Sequence, residues 1–144
     1  MIIKLRLLSK EPIIYKQSDN STYTNMIKAQ VHENGSSKAN GTSLIDYLNI
    51  TYNELVDLFG QPQGPSSDNK VSCEWHVSLQ EAHTDWTSPE DAFVTIYNYK
   101  DGKNYLGPDG LNIDQITSWH VGGKARGNFY MLEEYIGQQQ QAKV

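Results

Sequence analysis

The stretch Ser118-Trp119-His120-Val121-Gly122-Gly123-Lys124-Ala125-Arg126 carries the densest chemical signal in the chain. Strand-like alternation stops at Gly122 and Gly123, and a helical pattern with two cations in its first turn follows. A glycine pair at such a junction lets backbone N–H groups converge at the positive end of a helix dipole, where Lys124 and Arg126 deepen the attraction for a phosphate. The same residues equally suit an ordinary tight turn with both cations in solvent. A second cluster, Tyr97-Asn98-Tyr99-Lys100, supplies what a nucleotide needs beside an anion site. Tyr97 and Tyr99 can stack on a base, Asn98 can read a base edge or a ribose hydroxyl, and Lys100 can meet phosphate. A sheet-to-helix or subunit contact would use the same two tyrosines.

Catalytic apparatus is missing. His32, His83 and His120 have no second ligand at a diagnostic spacing, so neither a metal nor another cofactor is expected. No Gly-x-Ser-x-Gly elbow, Walker loop or Gly-x-Gly-x-x-Gly run occurs. His76-Val77-Ser78 offers one half of a two-histidine phosphoesterase pattern, but His120-Val121-Gly122 lacks the second hydroxyl. Cys73, the only cysteine, excludes an internal disulfide, and its neighbours Ser72 and Glu74 do nothing to stabilise a thiolate. The chemistry is that of a binding protein and not of an enzyme.

The totals narrow the partners. A formal net charge of −5 argues against broad binding to nucleic acid, which needs a surplus of clustered Lys and Arg. The acidic residues are scattered singly, so the chain does not mimic DNA either. No apolar run approaches the ~20 residues of a membrane span. Residues 1–8 are too short and too evenly charged for a signal peptide, which places the protein in the cytoplasm.

The elements that must position these residues follow from periodicity. Residues 2–8 and 22–32 alternate and flank the turn Ser18-Asp19-Asn20-Ser21, predicting a hairpin. Ser43 and Asp46 resemble a capping pair for a short helix carrying Leu44, Tyr47 and Leu48. Thr51 and Glu54 form a better capping box for a second helix with Tyr52, Leu55, Val56 and Phe59 on one stripe, ended by Gly60. Val71, Cys73, Trp75, Val77 and Leu79 give the clearest strand, its other face (Ser72, Glu74, His76, Ser78) staying polar. Trp86 lies in a loop, as a partner contact or folded back onto the sheet. Residues 92–100 and 116–121 complete a three-stranded meander, with Val94 and Ile96 facing away from Phe93, Tyr97 and Tyr99. Ala125, Phe129, Leu132 and Ile136 mark a terminal helix, after which Gly137 and the glutamines 138–141 read as a solvated tail. The expectation is a single α+β domain spanning 1–144: an antiparallel sheet (N-terminal hairpin plus meander) packed against a central helical segment and a C-terminal helix. Residues 1–40 form the hairpin extension, 41–137 the core and 138–144 the tail.

From residue 41 onward the chain resembles a family of small phage proteins. The residues that carry the likeness are Gly41-Thr42-Ser43-Leu44, Asp57-Leu58-Phe59-Gly60-Gln61-Pro62, Glu74-Trp75, Thr95-Ile96-Tyr97-Asn98-Tyr99-Lys100 and Trp119-His120-Val121-Gly122-Gly123. The family is the phage Thoeris anti-defence sponges, which sequester a cyclised ADP-ribose signal made by bacterial TIR-domain enzymes. The resemblance implies a homo-oligomer, a hexamer, acting in the host cytoplasm on a nucleotide-derived second messenger and leaving it uncleaved. It also implies that other cyclic nucleotides bind elsewhere on the assembly. The candidate ligand-binding residues are then Tyr97, Asn98, Tyr99, Lys100, His120, Gly122, Gly123, Lys124 and Arg126. Two other readings remain open: an inhibitor that binds a host defence protein through Trp86 and the first hairpin, and a cyclic-nucleotide phosphoesterase using His76 and His120.

Overall fold

The computed structural model describes residues 26–33, 37–86 and 92–142. The first hairpin strand and its turn at Ser18 to Ser21 lie outside them. Five strands, β1 (Ile27–His32), β2 (Ser43–Asn49), β3 (Glu74–Glu81), β4 (Ala92–Tyr97) and β5 (Ser118–Gly123), form one antiparallel sheet in the order β1-β3-β4-β5-β2. Helix α1 (Tyr52–Phe59), the single turn α2 (Lys103–Leu106) and the long α3 (Arg126–Ala142) complete an α+β fold. Among the described residues no helix is long and apolar enough to cross a membrane.

Strand pairing sorts the side chains into two faces. On one, Trp75, Val77, Leu79, Val94, Ile96, Trp119, Val121 and Leu48 are buried against Leu55 and Phe59 of α1 and Phe129, Leu132 and Ile136 of α3. Helix α1 starts where the sequence places it, because Thr51 and Glu54 satisfy each other's backbone N–H in a full capping box. The other face carries Glu74, Tyr97, His120 and Tyr47 in one cross-strand row, and His32, His76, Thr95, Gly122 and Leu44 in the next. The sequence predicts a polar face, and polar residues do line it, but His76, Ser78 and Thr95 are buried, and the short 3-10 segment Ser37–Ala39 packs near β4.

Three further expectations are corrected. Residues 43–49 are a strand, not a helix: the register slips between Leu44 and Asp46, and this bulge returns Leu44 and Tyr47, three apart, to the same face. A bulge thus imitates the spacing of a helix. The glutamines continue α3 to Ala142 instead of forming a tail, with Gln138 Oε1 accepting the Ile27 N–H at 2.8 Å and so satisfying the start of β1. Gly122 and Gly123, finally, do not bend. Both belong to β5, paired with Leu44 and Ser43 of β2.

Gly122 is required by crowding, whereas Gly123 leaves room for the movable tip of Ile45. A Cβ on Gly122 would stand 2.5 Å from Thr95 Oγ1 and 3.6 Å from Tyr97 Cε1, and one on Gly123 would stand 2.7 Å from Ile45 Cδ1. Overpacking of this kind costs about 1–3 kcal/mol. Gly122→Ala should therefore lower unfolding free energy by roughly that amount, and adding Thr95→Ala should recover part of it. Denaturant titrations of the single and double variants check this. Strict additivity would show that the two residues do not meet.

Candidate functional site

Tyr97, His120 and Tyr47 stand side by side on β4, β5 and β2 because antiparallel pairing puts them in register. The His120 ring stacks on Tyr97 with centroids 5.3 Å apart, and receives Tyr47 edge-on at 4.9 Å and Tyr99 at 5.9 Å. Tyr47 is 50% exposed and Tyr99 40%, so aromatic surface faces solvent around a half-buried imidazole. Burial holds His120 below the usual histidine range, against an opposing pull from Asp101. Its Nδ1 is buried without a hydrogen-bond partner. Burial first, then the phenols of Tyr47 and Tyr99 and the carboxylate of Glu74, raise Tyr97 above the ordinary tyrosine value. Burial thus favours the uncharged forms of His120 and Tyr97, which suits stacking.

Lys100 is the cation at this cluster. Its Nζ lies 5.2 Å from the Tyr99 centroid and 5.9 Å from that of Tyr105 on α2. Lys124 is exposed and runs beside Gly41, roughly 13 Å along the strand direction from His120 at ~3.3 Å per residue. Arg126 is committed elsewhere. Nη1 donates to Ile45 O at 2.6 Å, Nη2 meets Asp46 Oδ2 at 2.7 Å and Nε meets the Tyr130 hydroxyl at 3.2 Å, so it clamps the first turn of α3 to β2.

Asn98 is also structural. Fully buried, it accepts the Ser72 and Cys73 N–H groups on Oδ1 and donates from Nδ2 to Ser72 Oγ and Asp101 Oδ1. All its hydrogen-bonding capacity is spent on tying the end of β4 to residues 72–73. It cannot read a base. Nor can Gly122 and Gly123 cradle a phosphate, since their positions in a paired strand leave no converging N–H groups. Gly122 gives room to the Thr95 hydroxyl, next to Tyr97 in the same strand.

Tyr47 and Tyr105 are the residues that sequence reasoning left out. Tyr47 was hidden by its misread helix, yet the spacing of two strands ending in Asn49 and starting at Ser118 would have set it opposite His120. The features behind the other readings are engaged in the fold. His76 is buried with Nε2 2.9 Å from Glu74 Oε1, and Trp86 folds back to lie under Lys28 Nζ at 4.8 Å. A groove of about 760 Å³ between the end of β1 and residues 60–64 is lined, among the described residues, by Glu33, Glu74, Gln61 and Gln63 and by no Lys or Arg. Among the described residues no group of three His, Cys, Asp or Glu side chains could hold a metal ion. No family model, curated protein or solved structure matches the chain.

Two outcomes follow from the titrating groups. Because the folded value of His120 lies below its ordinary 6.5, its contribution to stability is complete above that pH and is lost as pH falls through the folded value. Melting temperatures between pH 7.5 and 5 should therefore drop less for His120→Gln than for the unaltered chain; parallel curves would refute it. The Cys73 thiol is pushed up to about 12, by burial above all and then by Glu74 and Asp101. Aromatic disulfide reagents at pH 8 should label it far more slowly in the native chain than in denaturant.

Proposed function

We propose that the protein is a non-catalytic binder of a nucleotide-derived signal, held by stacking on the Tyr47, Tyr97, Tyr99 and His120 cluster with Lys100 at its phosphate. The single observation behind this reading is that cluster: aromatic rings in register around a neutral imidazole, partly open to solvent, with one lysine at the rim. Its resemblance to the Thoeris anti-defence sponges suggests the biological setting. The signal would be of the cyclic ADP-ribose type, sequestered intact in the host cytoplasm so that the defence effector never fires.

Sequestration needs tight binding, and a nanomolar site corresponds to about −12 kcal/mol. Base stacking on an aromatic side chain contributes roughly 1–3 kcal/mol. An open cluster with one lysine falls short of that total. A second subunit laid over the rings would exclude water and strengthen the phosphate contact, which is the role this reading gives to a homo-oligomer.

Calorimetric titration with cyclised ADP-ribose isomers tests the reading directly. Binding should be weakened by about fivefold to 150-fold in Tyr99→Ala, the equivalent of ~1–3 kcal/mol, and much less in Arg126→Ala. Ligand released by heating should be chemically unchanged. Absence of binding by every base-containing signal, or recovery of only a cleaved product, would sink the proposal.

A further inference from the structure

Asn40 and Gly41 fill the two central places of a turn that leads from the 3-10 segment Ser37–Ala39 into β2. The Thr42 N–H closes the turn on Ala39 O at 3.1 Å, and the Thr42 hydroxyl donates to the same carbonyl at 2.7 Å. Gly41 has a φ of +83°, the left-handed value that the third place of a type II turn reserves for glycine. Both residues are exposed. Among the described residues, neither the Asn40 side-chain amide nor the Gly41 N–H has a hydrogen-bond partner.

That combination is reactive. An asparagine Cγ lies within reach of the next residue's backbone nitrogen, and a glycine there has no side chain to hinder the approach. The pairs Asp101–Gly102 and Asp109–Gly110, which could close the same ring, lack this freedom. The Gly110 N–H is spent on Gly107 O at 2.9 Å, and a Cβ on Gly102 would collide with Ser72 Oγ. Only the Asn40 turn combines an open backbone N–H with an unhindered side chain among these three.

We infer that Asn40–Gly41 is a self-modification site, which the folded chain deamidates with water as the sole co-reactant. The Gly41 nitrogen loses its proton and bonds to Asn40 Cγ, while the Cγ–Nδ2 bond breaks and Nδ2 leaves as ammonia after taking up a proton. Water then opens the succinimide. Cleavage at Cγ gives aspartate, and cleavage at the backbone carbonyl gives isoaspartate, whose main chain runs through the former side chain. Either product adds a negative charge next to Gly41, where Lys124 Cε lies 3.6 Å from the place of a Cβ. The inference is independent of the stacking role proposed above.

The full-length chain is held at pH 8 and digested with trypsin at intervals. Cleavage at Lys38 separates Asn40 from Asn34–Gly35, a second such pair that lies outside the described residues. Fragment sequencing of peptide 39–70 should place the conversion at Asn40, ahead of Asn49, Asn53 and Asn69, with isoaspartate in excess. Because an exposed turn costs little to distort, the native rate should lie within about fivefold of the rate in denaturant. It should fall at pH 6, where less of the nitrogen is deprotonated. Asn40→Gln, whose longer side chain closes a less favourable ring, should stop the conversion and leave the melting temperature unchanged. An Asn40 that reacts in denaturant but keeps its amide in the native chain would overturn the inference. So would conversion spread evenly over the four asparagines of that peptide.

Discussion

Strand β5 is held between β4 and β2 along a line where two side chains are missing, and the exposed face depends on that omission. Without a Cβ at Gly122, the Thr95 hydroxyl occupies the space, beside the Tyr97 ring that stacks on His120. Without one at Gly123, Ile45 fills the gap from the bulge in β2. The bulge in turn shifts the register so that Tyr47 arrives opposite His120. Close backbone approach, not anion binding, is therefore what this glycine pair provides.

The opposite face makes that arrangement rigid. Trp75 and Trp119 meet edge to face at 5.5 Å in the centre of the core, and each indole N–H is satisfied by a carbonyl outside its own strand: Gly60 O for Trp75 and Ile50 O for Trp119. These two bonds fasten the residues on either side of α1 to β3 and β5. A tryptophan buried with its polar end paired contributes its large apolar area without a desolvation penalty. Neighbouring positions on β3, β4 and β5 alternate between this core and the aromatic face, so a shift of one residue would exchange the two sets. The core thereby fixes which side of the sheet the tyrosines occupy.

The legible parts of the chain were those where one periodicity had no competitor. Alternation in β3 and β4 separated Trp75, Val77, Val94 and Ile96 from His76, Tyr97 and Tyr99, and the Thr51 to Glu54 box marked α1. Misreading began where local pattern and tertiary context disagree. In β2 an extra residue converted a period of two into an apparent spacing of three. At Gly122 and Gly123 the composition of a loop occurs inside a sheet, imposed at Gly122 by the Thr95 hydroxyl. The glutamines of α3 look solvated by composition, whereas Gln138 is needed to satisfy the first N–H of β1. The buried amide of Asn98 had to be spent on backbone groups, a requirement visible only once residues 72–73 are placed beside it.

A protein of net charge −5 that binds an anion must rely on short-range forces. At physiological ionic strength the Debye length is about 8 Å, so the scattered acids farther away would repel the proposed ligand only weakly, while Lys100 would act at contact. One lysine cannot by itself hold a phosphate against water, since exposed charge pairs are worth little. The aromatic rings must then supply the greater part of the affinity, and stacking is indifferent to salt in a way that phosphate clamping is not. The commitment of Arg126 to Asp46 and of Asn98 to the backbone points in the same direction, because it withdraws from the ligand the two side chains best able to form directional polar contacts. On the proposed reading, what remains would select for flat, stackable groups first and for charge second.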